Sequence, residues 1–376
     1  MLPEMKAAYA PLFEPLTLRC GLTLPNRIIL APMTTWSSHP DGTVHDDELL
    51  YLARRGVGLG MALTAACSVI PHGMAFPGQW SCHADAMLPS LARVADTLHA
   101  AGSPAILQLH HGGRMCPSSL IGQAPWCASA IPAIRPGADV PREMPESVIR
   151  ETLAAFADAT ARAMTAGYDG VEIHGANTYL PQQFFSPHSN RRNDVWGGGL
   201  EERMRFPLAL VDAVIEAGRR ARPFAIGYRL SPEELEEPGI TIDDTLALVD
   251  TLCARPLDWL HISVRDYRKG SLRDASDLRR PTKRIVDRVS GRMPVIGVGK
   301  LLTPEDALLP LGDGCNLAAL GRILLTEPEW IMKVRSGTEA TIRAVLPAHD
   351  GNRLLTLPSP LYDRLRSVKG WVPISE

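Results

Sequence analysis

The sequence has no run of Lys or Arg long enough to build a phosphate-binding face, which argues against a nucleic-acid partner and against a lipid-surface anchor. It has no long apolar run either. The most weakly polar stretch, residues 56–71, is rich in Gly and Ala and too short to span a membrane. Cys-x-x-C pairs are absent. The seven cysteines (Cys20, Cys67, Cys82, Cys116, Cys127, Cys253 and Cys315) are odd in number and scattered, so neither a disulfide framework nor a zinc or iron–sulfur site is written here. Residues 1–15 lack a charged start followed by an apolar core and a small-residue cleavage site, so no secretory signal is expected and the expected compartment is cytoplasmic. No low-complexity linker or fixed-period repeat divides the chain, and a single domain, residues 1–376, is expected.

What is present describes an ordinary globular chain with a large core: 45% hydrophobic and 21% charged residues, with 39 basic against 41 acidic side chains. Its 376 residues would suit two or three domains, but a single α/β barrel reaches this size when its loops carry insertions. Short apolar runs with β-branched residues predict strands at 27–33, 61–69, 105–110, 170–174, 224–230, 259–264, 294–299 and 317–321. Amphipathic patterns between them predict helices at 88–101, 146–166, 201–221, 243–254 and 304–311. The segment Thr303-Pro304-Glu305-Asp306-Ala307 reads as a helix start, with a Thr cap, Pro in the first turn and acids at the positive dipole end. Eight strands, each followed by a helix, predict an α/β fold: a (β/α)8 TIM barrel with a long insertion after the third strand. That insertion, residues 112–145, is rich in Pro, Gly and Ser, and its position predicts a cap over the barrel mouth.

Chemistry in such a barrel sits at the C-terminal ends of the strands. The first predicted strand ends in Pro32-Met33-Thr34-Thr35-Trp36 and the third in Gln108-Leu109-His110-His111. The fourth runs through His174, Asn177 and Tyr179, the fifth ends at Arg229, and the last two bring Gly299-Lys300 and Gly321-Arg322. Gly299 and Gly321 could simply permit tight turns. Both together, with Arg322 able to make a forked contact, favour a phosphate. His174 and Asn177 could be a satisfied core imidazole and a helix cap, but with Tyr179 they place two donors for an oxygen beside a weak acid. Gln108 could be a barrel-filling amide and Arg229 a rim ion pair; alternatively both hydrogen-bond a flat heteroaromatic ring. Trp36 suits plain packing or a substrate pocket equally. His110, His111 and His261 raise a metal-dependent hydrolase as a rival, but no His-x-His pair occurs and no carboxylate closes strands seven or eight, so no metal is expected.

The motifs NRIILAPMT (26–34), QLHHGGR (108–114), EIHGANTYLPQQFFSPHSNRRND (172–194), WGG (196–198), YRLSPEE (228–234) and ALGR (319–322) resemble, in order, those of the old yellow enzyme family of FMN-dependent oxidoreductases. The likeness runs from about residue 12 to residue 330, and the APMTTWSSHPDGTV segment is most similar to a bacterial branch of NADH-dependent flavin oxidoreductases. The resemblance implies FMN as cofactor and NADH or NADPH as donor. It implies Pro32, Met33 and Thr34 bordering the flavin, Ala66 against the ring, Gln108 at the pyrimidine edge and Arg229 at N1/O2. Gly299, Lys300, Gly321 and Arg322 would hold the phosphate. His174 and Asn177 would grip the substrate oxygen and Tyr179 would donate the proton that completes reduction of an activated alkene. Lys300, where a small or neutral residue is common, and GGGLEER (197–203) depart from the family pattern. The same fold could instead serve an NADH oxidase or a flavin or quinone reductase. The expected partner is a small-molecule substrate, and family members are often dimers or tetramers, which leaves a homo-oligomer open.

Overall fold

The computed structural model describes residues 4–219 and 223–375. Eight parallel strands form its centre: β1 (Ile28–Leu30), β2 (Met61–Ser68), β3 (Ala105–His110), β4 (Gly170–Gly175), β5 (Ala225–Leu230), β6 (Trp259–Ile262), β7 (Val295–Val298) and β8 (Leu317–Leu320). Each pairs with the next, and β8 returns to β1 with Leu320 opposite Leu30, which closes the sheet. Helices α1 (Asp46–Arg55), α2 (Leu88–Ala100), α3 (Glu146–Thr165), α4 (Leu200–Gly218), α5 (Ile242–Cys253), α6 (Pro281–Val289) and α7 (Pro304–Gly312) follow the first seven strands. Short helices Arg322–Thr326 and Trp330–Arg335 follow the eighth. This is the expected (β/α)8 TIM barrel.

Local sequence explains the element ends. Thr303 caps α7 as expected: its hydroxyl accepts from the Asp306 N–H while Asp306 accepts from the Thr303 N–H. Thr241 and Asp244 do the same for α5, and at α1 His45 Nδ1 accepts from the Asp47 N–H while Glu48 accepts from the His45 N–H. The first strand is shorter than the predicted 27–33. Ala31 donates a last bond to Leu320, and Pro32, lacking an N–H, leaves the ladder. The helix expected over 201–221 runs Leu200–Gly218, and residues 220–222 lie outside the described residues. Helices α1 and α6 are expected from the alternation of strands and helices, but no bounds are predicted for them. In α6 the charge density hides the pattern, since only Pro281, Thr282, Ile285 and Val289 turn inward.

The barrel interior is layered. At the strand starts, Met61, Ile106, Ala225, Trp259 and Leu317 form an apolar cluster that Leu18 and Leu24 of an N-terminal hairpin complete. Gly227 makes room for this layer: a Cβ there would lie 1.9 Å from the Trp259 indole. One strand period higher the inward positions turn polar, with Gln108, Glu172 and His261, and at the rim stand His174 and Arg229.

The insertion over 112–145 has structure of its own, with a short helix Ser118–Ile121 and a ladder between Trp126–Cys127 and Arg142–Glu143. It packs on the short helix Leu180–Phe185, where the Arg114 N–H donates to Gln183 Oε1 at 3.0 Å. Arg192 fastens it through the carbonyls of Ala128 (2.9 Å) and Met144 (2.8 Å). Among the described residues no helix is long and apolar enough to cross a membrane.

Candidate active site

A cavity of about 530 Å³ opens at the C-terminal ends of the strands. Its walls include Pro32, Met33, Trp36, Arg229, Gly299, Lys300, Gly321 and Arg322, so the structure brings together most of the residues that the sequence nominated from strands one, five, seven and eight. Residues 112–145 contribute nothing to this lining. Arg364 and residues 368–371 do, and this C-terminal wall had no signal in the barrel rhythm of the sequence. Trp371 meets Trp36 edge-on at 6.0 Å, and Arg364 lies over the Trp36 ring at 5.8 Å.

The loop after β1 is pinned from beneath. Glu48 is fully buried and accepts hydrogen bonds from the Thr35 hydroxyl, the Trp80 indole (2.6 Å) and the His45 N–H (3.0 Å). Burial pushes its carboxyl up, and these three donors oppose the shift. Thr34, half-buried, is held between Met33 and the anchored Thr35.

Below the cavity lies a buried polar network that the sequence reading passed over. Glu172 accepts from Gln108 Nε2 (2.8 Å), the Trp259 indole (2.9 Å) and His261 Nδ1 (2.9 Å). Burial opposes its ionisation, but the charges and hydrogen bonds of its neighbours, His261 first and then Arg229, hold its carboxyl below the ordinary value. An ionised carboxylate can only accept, so the Gln108 NH2 faces it. The Gln108 carbonyl oxygen then points elsewhere, with no hydrogen bond among the described residues, and is available to an N–H of a ligand. Arg229 is 8% exposed and its Nε has no partner among the described residues. Glu172 was legible in principle: it stands two residues before His174 on one strand, hence on the same inward face. Ala66 lies opposite Gln108 in the β2–β3 register, also buried.

At the rim the chain after β4 bends sharply. Asn177 (φ 56°) and Thr178 (φ 66°) are consecutive left-handed residues, a costly conformation for a β-branched side chain. Hydrogen bonds to the backbone hold it: the Asn177 N–H donates to Ser231 Oγ (2.9 Å), the Thr178 N–H to Gln182 Oε1 (3.0 Å), and Gln183 Nε2 to the Thr178 carbonyl (2.6 Å). The bend folds Tyr179 back, edge-on to His174 at 4.9 Å and to His110 at 4.2 Å.

Proton positions follow from the same contacts. His174 is 4% exposed, and burial first, then the Arg229 charge, keeps its pKa well below the usual imidazole value, so the ring is neutral. Its Nδ1 accepts from the Ala176 N–H at 3.3 Å, which places the proton on Nε2. Arg229 Nη2 donates to Ser263 Oγ at 3.0 Å and the Ser263 hydroxyl donates to Asn177 Oδ1 at 2.9 Å. With its oxygen occupied, Asn177 has its NH2 group to offer. Ser263 was missed by the sequence reading, because a lone Ser after a strand carries no pattern. The Tyr179 phenol is pushed up to about 12, by burial and then by Cys116, against the opposing charges of Arg135 and Arg229, and its hydroxyl makes no hydrogen bond among the described residues.

For FMN the residues present fit. The Gln108 carbonyl and the Arg229 guanidinium suit the edge of a pyrimidine ring, and Met33 and Ala66 are apolar neighbours for its plane. Lys300 and Arg322, without an ion pair among the described residues, suit a phosphate beside Gly299 (φ 132°), where a side chain would be strained and a Cβ would lie 2.7 Å from the Tyr267 N. Among the described residues no group of three His, Cys, Asp or Glu is arranged to hold a metal ion.

Comparison with known proteins agrees with that fit. The model of the NADH:flavin oxidoreductase / NADH oxidase family matches residues 11–341. The probable NADH-dependent flavin oxidoreductase YqiG of Bacillus subtilis (strain 168) is 42% identical over 374 residues, covering 99% of this chain and 100% of that protein. The NADH:fumarate oxidoreductase of Klebsiella pneumoniae (strain 342) is 41% identical over 360 residues, which are 93% of this chain but 38% of that longer protein. Among solved structures, morphinone reductase in complex with tetrahydroNAD superposes with a TM-score of 0.74 at 29% identity, covering 87% of this chain and 91% of that one. The old yellow enzyme homologue from Zymomonas mobilis gives 0.74 at 25% identity, covering 86% and 91%. Barrel and mouth thus define a flavoprotein oxidoreductase that works with FMN and a reduced nicotinamide nucleotide. The chain belongs to the NADH:flavin oxidoreductase / NADH oxidase family, among the old yellow enzymes.

Proposed function

We propose that the protein reduces the carbon–carbon double bond of an activated alkene, an α,β-unsaturated carbonyl or nitro compound, with NADH or NADPH as donor. The relay from Arg229 through Ser263 to Asn177 carries this reading, because it occupies the Asn177 Oδ1 and leaves the Asn177 NH2 to donate, three residues along the chain from His174, whose Nε2 carries its proton. Two such donors hold one substrate oxygen and stabilise the negative charge that develops there. Pro32, Met33, Thr34 and Ala66 would border the flavin, Gln108 and Arg229 its pyrimidine edge, and Gly299, Lys300, Gly321 and Arg322 its phosphate. When bound, FMN supplies the hydride for the substrate's β-carbon, having received it from the nicotinamide. Tyr179 holds the proton for the α-carbon, and its raised pKa keeps that proton in place across the working range. Trp36 would border the substrate. Residues 112–145 would brace the Tyr179 side through Gln183, which binds both Arg114 and the Thr178 carbonyl.

The test follows the visible spectrum without oxygen. A yellow protein that bleaches with NADH or NADPH and regains colour on adding 2-cyclohexenone is the expected result. Colour returning only with air would favour an NADH oxidase or flavin reductase, an activity borne by a 32%-identical relative, the NADH oxidase of Thermoanaerobacter brockii. A further check concerns the donor pair. Replacing both His174 and Asn177 by Ala removes two hydrogen bonds to a charged oxygen at ~1.5 kcal/mol each, and should weaken phenolate binding about 100-fold. Unchanged phenol affinity, read from the flavin absorbance, would show the pair to be structural.

A further inference from the structure

A second cavity, of about 570 Å³, adjoins the mouth. It lies between the loops after β5 and β6 and shares one wall with the first cavity, formed by Val264, Arg265, Lys300, Arg322 and Gly370. Its volume falls within the range of about 300–1,000 Å³ usual for ligand sites. Resting on the proposed use of a nicotinamide donor, we infer that this cavity receives the adenosine diphosphate arm of the reduced dinucleotide while the nicotinamide occupies the mouth.

Charge is the first ground. Arg265, Lys269, Lys300 and Arg322 all line the cavity, and none makes an ion pair among the described residues, whereas most other surface arginines of this chain do. The flavin phosphate accounts for Arg322 and Lys300. Arg265 and Lys269 remain for another anion, and a diphosphate is the anionic group that a nicotinamide dinucleotide carries. The two carboxylates of the cavity, Glu233 and Asp266, keep their charge and offset part of this surplus, but neither makes an ion pair with these cations among the described residues. Both oxygens of Glu233 are occupied, by the Ser271 hydroxyl and the Leu272 N–H, each at 2.8 Å, and Asp266 accepts from the Arg268 N–H at 3.1 Å.

Polarity is the second ground. Cations concentrate on the wall shared with the mouth. The remaining walls carry Pro232, Leu272 and Pro281 with the hydroxyl of Ser231, whose proton no bond to a described residue uses, surfaces for a purine face and a ribose. The cavity is also preformed. The loop that frames it is tied by the Tyr267 N–H to the Gly299 carbonyl (3.0 Å), by the Tyr267 hydroxyl to Asp313 (2.9 Å), and by Arg273 to the carbonyls of Glu234 (2.7 Å) and Glu236 (2.8 Å). A ligand entering it has little ordering to impose.

Lys269→Glu and Leu272→Glu test the inference at exposed positions on the part of the cavity away from the flavin. In anaerobic stopped-flow bleaching of the FMN-loaded enzyme, each variant should raise the apparent Kd for NADH about tenfold. The reduced mononucleotide, which lacks the adenylate half, should bind as it does to the parent enzyme. Calorimetry with ADP-ribose should show binding to the parent and at least tenfold weaker binding to K269E. Equal shifts for both donors, or NADH affinity unchanged in both variants, would overturn the inference, as would ADP-ribose that fails to bind the parent. ADP-ribose binding without bleaching by NADH would leave the cavity assignment standing and overturn the donor reading instead.

Discussion

Replacing Tyr179 by Phe is expected to slow enone reduction by about 100- to 10,000-fold, the usual worth of a positioned general acid. Bleaching of the bound flavin by NADH should stay within a few-fold of the parent rate, because that half of the cycle consumes no proton from the phenol. The substitution is mild for the fold. The ring keeps its edge contacts with His110 and His174, and the lost hydroxyl leaves no partner unsatisfied among the described residues. No titration of Tyr179 should appear in the pH profile of enone reduction between pH 6 and 10, since its pKa stands near 12. Stopped-flow measurement of the two half-reactions separates these outcomes. Equal losses in both would remove Tyr179 from the role of proton donor.

The second large effect concerns acid. His110, His111 and His174 are buried at the mouth, and burial is the first cause that holds each below the usual imidazole pKa, His110 at about 3. Their folded values lie below the unfolded value of about 6.5, so the unfolded chain binds protons that the folded one refuses. The stability they confer is complete above that unfolded value and is lost as the pH falls below it. Each contributes ~1.4 kcal/mol between pH 7.5 and 5.5, so three lower the unfolding free energy by about 4 kcal/mol over that window. His261, also held low, adds in the same direction. Glu48 and Glu234, whose carboxyls burial pushes up, offset part of it. Urea unfolding at the two pH values measures the difference, and an equal midpoint at both would mean that these imidazoles carry their protons in the folded state.

The barrel was legible because its signals are local and repeated. Strand β3 has the predicted bounds, and β2, β5 and α7 depart from theirs by a residue or two, since apolar runs and capping residues are written in adjacent positions. The motif residues gather for the same reason: Met33, Arg229, Gly299 and Arg322 sit at strand ends, and the fold itself brings strand ends together. What escaped is what depends on partners distant in sequence. Ser263 matters only because Arg229 and Asn177 stand on either side of it, and Glu172 because Gln108, Trp259 and His261 converge on it. The docking of Trp371 on Trp36 joins residues at opposite ends of the chain, and neither shows periodicity.

That last contact has a consequence for the order of events during synthesis. The sheet is complete once β8 has paired with β1, at residue 320, yet the cavity wall at 364–371 emerges from the ribosome some forty residues later. Between those two moments the barrel presents a bowl with one side missing. A cofactor arriving then meets a wider opening than one arriving after residues 364–371 have closed over Trp36 like a latch.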